Sequence, residues 1–187
     1  MNKQHNTVRA MVEGAIFVAI AEVLGYFPKL WQMPYGGSVT LMMVPIIIYA
    51  LRWGLGQGLL AGLALGVLDF MLNGGISIGW QSIIGDYVAA LTALGLAGIG
   101  HKKGFPGIIL GSAAGCLGRF VCIWITGATL WGEYMFDVYG LPMDNEFVYS
   151  FLYNIPVLIS GVLAVIVCTA LYNIKATQKY MLGEDIA

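Results

Sequence analysis

The chain has 187 residues, of which 59% are hydrophobic and only 10% are charged, and its formal net charge is −1. Soluble domains carry about 25% charged residues, so this composition excludes an ordinary soluble protein and indicates a membrane protein. The near-neutral charge also argues against nucleic-acid binding. We expect one all-α membrane domain over residues 1–187, because this length suits a single bundle of about six short spans.

Hydropathy and helix-breaking residues predict six transmembrane helices. In chain order, the predicted spans are residues 9–27, 39–52, 54–72, 80–99, 106–127 and 149–173. The first is too long for the apolar core of a signal peptide, so we expect it to be retained. The second is short for a full crossing, and we expect it to be tilted or shielded by its neighbours.

Basic residues set the expected orientation. With a cytoplasmic N-terminus, seven of them fall in cytoplasmic segments, Lys29 alone falls outside, and Arg119 lies within a span. The seven are Lys3, Arg9, Arg52, Lys102, Lys103, Lys175 and Lys179. This excess follows the positive-inside rule and predicts that both termini are cytoplasmic. The 128–148 connection is then extracellular, and is either a solvated aromatic loop or a lid over a pocket.

Four charged side chains are predicted to lie in the outer half of the membrane: Glu22, Asp69, Asp86 and Arg119. Charges at this depth are costly and normally face a protein interior or a wet cavity. Arg119 could form an internal ion pair with Asp86 or Asp69. Three carboxylates against one guanidinium nevertheless leave a surplus of negative charge, which a bound organic cation or a proton would balance. Glu13 lies near the cytoplasmic end, where we expect it to reach the interface.

Aromatic residues accumulate at the predicted outer ends of the spans. They are Trp31, Tyr35, Trp80, Tyr87, Trp124, Trp131, Tyr149 and Tyr153. An interfacial aromatic belt is one explanation, above all for Trp31 and Trp80. A ligand pocket is the other, since aromatic faces bind a desolvated cation by about 2 kcal/mol. Asn154 adds a neutral hydrogen-bonding group beside Tyr153.

Span 1 carries small residues at regular spacing. Ala15 and Ala19 lie four residues apart on one helix face, and small side chains at this spacing let helices approach closely in lipid. This face either packs inside the bundle or docks onto another membrane protein.

Several short motifs occur in a fixed order. They are Gly36-Gly37-Ser38-Val39-Thr40 with Pro45 and Leu51-Arg52-Trp53-Gly54, Asp86-Tyr87 with Gly95-Leu96-Ala97-Gly98, Gly118-Arg119-Phe120 with Thr126-Gly127 and Trp131, and Tyr149-Ser150 with Asn154. In this order and spacing, over most of the chain, they resemble the substrate-binding S components of energy-coupling factor (ECF) vitamin transporters, in particular the thiamine-specific ones.

The resemblance implies a six-helix fold in the bacterial plasma membrane, with a vitamin pocket near the extracellular side that the loops after spans 1 and 5 close. It implies thiamine as the transported ligand, with no cofactor. The implied partners are an ECF transmembrane coupling subunit and two cytoplasmic ATPases. An AxxxA motif on helix 1 contacts the coupling subunit in this family, and Ala15 and Ala19 match it. The implied pocket residues are Asp86, Tyr87, Arg119, Gly127, Trp131, Tyr149 and Asn154.

Three positions depart from the family pattern. The family has a stacking histidine where this chain has Ile123, and the neighbouring Trp124 would replace it only if the helix rotated. A tryptophan before helix 2 aligns with Gly36, so Trp31 or Tyr35 would take its place. Asp69 is an additional carboxylate that we also assign to the site. Because of these changes, a relative of thiamine or another cationic heteroaromatic molecule stays an alternative as the ligand.

Other functional classes fit the sequence less well. The chain lacks a GxxxxGK[ST] phosphate loop, so transport energy has to come from a partner. An enzyme is not expected, because His5 and His101 lie far from the buried acids, and neither catalytic nor metal-binding spacing is present. A stand-alone ion-coupled carrier stays open, but it needs ionisable groups in the inner half of the bundle, where only Glu13 is available.

Overall fold

The computed structural model describes residues 3–27, 29–33, 36–73 and 77–185. Helix α1 spans Lys3–Tyr26, and an antiparallel hairpin of β1 (Trp31–Met33) and β2 (Gly36–Val39) follows it. The next helices are α2 (Met43–Trp53), α3 (Leu55–Asn73), α4 (Trp80–Gly100) and α5 (Gly104–Leu130). A 3₁₀ turn at Gly132–Tyr134 then precedes α6 (Glu146–Tyr153), α7 (Ile155–Tyr172) and α8 (Lys175–Met181).

Four of these helices are long and apolar enough to cross a membrane, namely those at Leu55–Leu72, Trp80–Gly100, Gly104–Leu130 and Ile155–Tyr172. The shorter apolar helix α2 lies at the centre of the fold, where it contacts α1, α3, α4, α5, α7 and α8. Ten of its 11 residues are buried. The expectation that the short second span is shielded by its neighbours is therefore confirmed.

The predicted start of the second span at residue 39 is wrong. Val39 belongs to β2, and helix α2 begins only at Met43. Between them, the backbone N–H of Thr40 donates to Ser160 Oγ at 3.0 Å. The apolar run that follows Gly37 therefore divides between a strand and a helix, and Ser160 of α7 binds the backbone N–H of Thr40 in the connection between them.

The predicted sixth span, 149–173, is two helices. Helix α6 ends at Tyr153, and α7 begins at Ile155 with Pro156 in its first turn. Proline has no backbone N–H to donate to the preceding turn and disfavours a helical residue before it. The helix is therefore interrupted at Asn154, and this interruption directs α6 towards the residues that follow α5.

Helix α4 has the predicted extent but not a uniform winding. Its residues Ile83–Ala89 form a π-helix, and Ala93–Gly100 form a 3₁₀-helix. Glycines of α3 allow its backbone to lie against this helix. A Cβ at Gly66 would come within 2.7 Å of the Tyr87 carbonyl oxygen, so only glycine fits there.

The remaining boundaries differ from the prediction by a few residues. Helix α1 already includes Lys3, and α5 extends from Gly104 to Leu130 rather than over 106–127. Residues 128–130 of the predicted loop are therefore helical. Trp131 comes directly after the helix, with its backbone N–H donating to the Gly127 carbonyl at 3.1 Å.

The end of the bundle opposite Trp131 is closed by an ion cluster that we call the Arg52 network, made of Arg9, Glu13, Arg52, Tyr180 and Asp185. The Arg52 side chain is fully buried. It donates to Glu13 Oε2 at 2.7 Å, to Asp185 Oδ1 at 2.6 Å and to the Tyr180 carbonyl at 2.6 Å. Its guanidinium also lies 3.9 Å from the centre of the Tyr180 ring.

Glu13 is therefore not a side chain that merely reaches the interface. Its carboxylate also accepts hydrogen bonds from Arg9 Nε at 2.9 Å and from Trp53 Nε1 at 2.8 Å. The network joins α1, α2 and the segment around α8, a helix that the sequence patterns did not predict.

Candidate functional site

Asp86 is the centre of the candidate site. It lies in the π-helical part of α4, a kind of winding that often marks functional positions. Its Oδ2 accepts hydrogen bonds from Ser82 Oγ at 2.9 Å and from Trp131 Nε1 at 3.0 Å. The Asp86 carboxylate on α4 is thus hydrogen-bonded to Trp131, the first residue after α5. This contact brings together two of the residues predicted for the pocket.

An aromatic cluster lies beside this pair. The Tyr149 and Tyr153 rings stack with centroids 5.7 Å apart and an interplanar angle of 23°. Phe136 meets Tyr149 edge-on at 5.6 Å and Tyr153 edge-on at 5.9 Å. Part of the segment between α5 and α6, around Phe136 and Val138, therefore packs on the aromatic residues of α6, while most of its other residues are exposed. The lid over a pocket stays a prediction.

Gly127 and Ser150 hold α6 against α5, and the side chain of Asn154 binds Ser150 within α6. Asn154 Nδ2 donates to the Ser150 carbonyl at 2.8 Å, and Ser150 Oγ donates to the Trp124 carbonyl at 2.8 Å. A Cβ at Gly127 would overlap Ser150 Oγ, so glycine is required for this close approach. Gly127 and Asn154, both predicted for the site, therefore help to shape the wall that α6 contributes to the site.

Three further ionisable side chains, Glu22, Asp69 and Arg119, form a group that is connected to Asp86 through Tyr87, which interacts electrostatically with both Asp69 and Asp86. Asp69 lies close enough to interact electrostatically with Glu22 and with Arg119. Arg119 contacts Met42, with its Nη1 3.8 Å from the sulfur atom. Within the described part of the chain, no ion pair joins Arg119 to Asp86 or Asp69. The internal ion pair considered from the sequence is therefore not the arrangement found.

Several polar atoms in this cluster are buried without a hydrogen-bond partner among the described residues. They are both carboxylate oxygens of Glu22 and the Nε of Arg119. Buried polar groups are nearly always satisfied, so such atoms indicate a ligand, a water molecule or a proton. The sequence analysis placed Glu22 in this half of the bundle but did not assign it to the site. In the structure, its carboxylate is one of the most unusual groups of this cluster.

The remaining predicted residues lie around this centre. The Tyr87 ring meets Phe70 edge-on at 5.4 Å. Trp31, in the hairpin, is 43% exposed, and its ring centroid lies 5.9 Å from that of Tyr139 in the segment before α6. The hairpin and that segment thus meet above the bundle. Tyr35, predicted for the site, lies outside the described residues.

The Ile123 position offers no aromatic substitute for the stacking histidine of the resembled family. Ile123 itself is buried. Trp124 points elsewhere, because its Nε1 donates to the Phe147 carbonyl at 2.9 Å and its ring lies against Phe120 and Phe151. It packs in the seam between α5 and α6. The rotation that would bring Trp124 into the site is not observed.

An open hollow of about 310 Å³ lies next to Asp86. It runs between the first residues of α4, Gln81 and Ser82, and the 3₁₀ turn after α5, at Glu133 and Tyr134. Since Ser82 is hydrogen-bonded to Asp86, the hollow ends one side chain away from the carboxylate. Over the described residues, no group of three or more His, Cys, Asp or Glu side chains is placed to hold a metal ion.

The chain has clear relatives among known proteins. Residues 11–181 match the family described as "Thiamine transporter protein". The thiamine transporter ThiT of Bacillus subtilis is 30% identical over 183 residues, which cover 90% of this chain and 92% of the relative. The thiamine transporter ThiT of Lacticaseibacillus paracasei is 29% identical over 200 residues, covering 92% and 90%.

Solved structures share the fold. A structure of ThiT from Listeria monocytogenes matches with a TM-score of 0.80 at 22% identity and covers 96% of this chain and 99% of that one. A structure titled for the S component of a bacterial ECF transporter matches with a TM-score of 0.59 at 16% identity, covering 91% and 96%.

The apolar helices indicate a membrane protein, and the family match identifies a transport protein and not an enzyme. The chain belongs to the thiamine transporter protein family.

Proposed function

We propose that this protein is a thiamine-binding S component of an ECF-type importer. It would capture thiamine outside the cell and release it inside, after docking onto a transmembrane coupling subunit driven by two cytoplasmic ATPases. The observation that carries the proposal is the contact of Trp131 with Asp86, which joins an aromatic side chain after α5 to a half-buried carboxylate. A flat organic cation requires this combination, since it gains from both a counter-charge and an aromatic face.

Each predicted site residue has a proposed role. Asp86 balances the positive charge of the ligand and accepts a hydrogen bond from it. Tyr87, Trp131 and Tyr149 provide aromatic walls. Arg119, whose Nε is buried without a partner among the described residues, donates to a polar end of the ligand. Four further residues support or border the site: Gly127, Asn154, Asp69 and Trp31, with Tyr35 proposed from the sequence alone.

We further propose that the chain is a single domain with six spans in the bacterial plasma membrane. The spans are α1, α2, α3, α4, α5 and the broken pair α6–α7, with both termini in the cytoplasm. The basic residues support this orientation. Arg9 and Arg52 belong to the Arg52 network, and Lys102 and Lys103 lie at the turn after α4, at the same end. A cytoplasmic excess of Lys and Arg is the rule for membrane proteins.

The lid assignment can be tested by changing Trp131 to Ala and to Phe. Ala removes both the ring and the donor to Asp86, so we expect thiamine affinity to fall about tenfold or more, on the scale of a desolvated cation–π contact. Phe keeps a ring and should lose less. Isothermal calorimetry on purified protein measures both. An affinity of the Ala variant equal to that of the wild type would remove Trp131 from the site.

The outer face of α1 is the proposed docking surface. Ala15 and Ala19 are exposed, while Gly14, Val18 and Ala21 of the same helix are buried against the bundle. The small-residue pair therefore does not pack internally, and its neighbour Ile16 is 53% exposed. This arrangement leaves the pair available to another helix in the membrane.

Ala15→Trp should abolish thiamine uptake by cells and leave thiamine binding by the purified protein unchanged, because the bulky ring blocks close helix approach without touching the site. Leu63→Trp, on the exposed face of α3, is the matched control and should do neither. Loss of binding in the Ala15 variant would contradict the docking assignment.

The function itself is tested by native mass spectrometry of protein purified without added ligand, followed by titration with thiamine. We expect co-purified thiamine, or saturable binding of one molecule per chain. Riboflavin, an uncharged vitamin, is the control and should not compete. Saturable binding of a different cationic heteroaromatic in place of thiamine would support the second candidate, which the Ile123 position and the additional carboxylate Asp69 favour.

A further inference from the structure

Glu22 is the least compensated charged group among the described residues. It is 6% exposed, and neither carboxylate oxygen has a hydrogen-bond partner in the described part of the chain. An isolated buried carboxylate costs so much free energy that such groups take up a proton instead. No role in the proposed function depends on Glu22, and yet it lies beside the site.

The neighbours of Glu22 increase this cost. Asp69, on α3, is also buried and interacts electrostatically with Glu22. Two carboxylates in one poorly hydrated space cannot both ionise cheaply. Arg119 is the nearby cation, but its Nη1 contacts Met42, and it interacts electrostatically with Asp69. The positive charge of Arg119 therefore acts on Asp69, and Asp69 in turn interacts with Glu22.

The other elements around Glu22 supply no further counter-charge within the described residues. Helix α1 packs against α2 and α3. The charged residue of α2, Arg52, is bound in the Arg52 network at the opposite end. Asp69 on α3 interacts electrostatically with Glu22, and Tyr87 on α4 and Arg119 on α5 each interact with Asp69. On α1 itself, Tyr26 lies one turn after Glu22, and Lys29 beyond the helix is exposed and, among the residues described, forms no ion pair with Glu22.

We propose that Glu22 carries a proton in the ligand-free protein, and that a cationic ligand bound beside Asp69 and Arg119 draws this proton off. With Glu22 neutral, Asp69, Asp86 and Arg119 leave one net negative charge. The positive charge of a ligand bound there favours the ionised form of Glu22, so the proton leaves on binding. The bond that breaks on release is the O–H of Glu22, and the proton passes to solvent. The protonation does not depend on the proposed function, whereas its link to ligand binding rests on it.

Two experiments test the protonation without any ligand. In a detergent that lacks ester groups, the infrared spectrum of the wild type minus that of Glu22→Gln should contain the carbonyl stretch of a protonated carboxylic acid at neutral pH. Glu184→Gln, which removes an exposed carboxylate, is the control and should show only an ionised carboxylate. An ionised carboxylate band in the Glu22 difference spectrum would overturn the proposal.

Thermal unfolding against pH is the second experiment. A carboxyl group that stays protonated when folded but ionises when unfolded stabilises the fold at low pH, and this contribution is lost as the pH rises. The Tm of the wild type should therefore fall with rising pH relative to that of Glu22→Gln. Parallel Tm curves for the two proteins would contradict the proposal.

Calorimetry in two buffers of different ionisation enthalpy tests the link to the ligand. Thiamine binding should release up to one proton from the wild type and less from Glu22→Gln. The wild-type affinity should also rise with pH, by at most about tenfold for each pH unit, because at most one proton is released. Binding without a difference in proton release would overturn the link alone. Absence of thiamine binding would instead remove the proposed function and leave the infrared result valid.

Discussion

Replacing Asp86 by Asn should weaken thiamine binding by at least tenfold, the largest loss that we expect from any single change in the site. The substitution keeps the size of the side chain but removes its negative charge. Hydrogen bonds to charged groups contribute about 1.5–3 kcal/mol, and the counter-charge for the ligand is lost as well. Calorimetric titration of the purified variant measures the loss directly.

The contacts of Asp86 make a matched control available. Ser82→Ala removes one donor to Asp86 Oδ2 and leaves the charge and the Trp131 contact in place. We expect this variant to lose less affinity than Asp86→Asn. If both variants bound thiamine as tightly as the wild type, Asp86 would not be part of the binding site. Its role in α4 would then be structural.

The largest expected loss of stability follows from changing Arg52 to Met. Removal of the guanidinium leaves the carboxylates of Glu13 and Asp185 without their main partner. Breaking a buried ion pair from one side destabilises a protein by about 3 kcal/mol or more. The Tm of the purified variant should therefore fall well below that of the wild type. Arg9→Met is the matched control, because the Arg9 side chain is 30% exposed and exposed ion pairs contribute about 1 kcal/mol or less.

The pH dependence of the same network has a defined sign. Arg52 donates to Asp185 and holds the pKa of that carboxyl well below its usual range. A lowered pKa stabilises the folded state above the ordinary Asp value, and this contribution is lost as the pH falls toward the lowered one. The Tm difference between the wild type and Arg52→Met should thus be present at neutral pH and shrink in acid. A difference that grew in acid would show that another group dominates.

The sequence predicted those features of the site that depend on local patterns. Asp86 stands out because it interrupts an apolar helix, and Trp131 because it directly follows one. Their spacing from the helix ends was enough to place both at the same end of the bundle. The hydrogen bond between them needed the structure, since it depends on how α4 and α5 pack.

Features made by distant residues were missed. Arg52 and Asp185 lie 133 positions apart, and no periodicity connects them. The apolar run after Gly37 is compatible with a strand as well as a helix, so Val39 was assigned to a span and the hairpin before it was not predicted. By contrast, the break at Asn154 had a local signal, because Pro156 follows within two residues and marks a helix start.

The direct attachment of Trp131 to the end of α5 has a consequence for how the site opens. Arg119 lies on the same helix, 12 residues earlier, or about 18 Å along its axis. A tryptophan on a flexible loop could change position independently of the helix. A tryptophan whose backbone is hydrogen-bonded to the last turn of a helix moves together with that helix. Entry of the vitamin would therefore tilt or shift the whole of α5, and the Arg119 guanidinium inside the bundle would move with it.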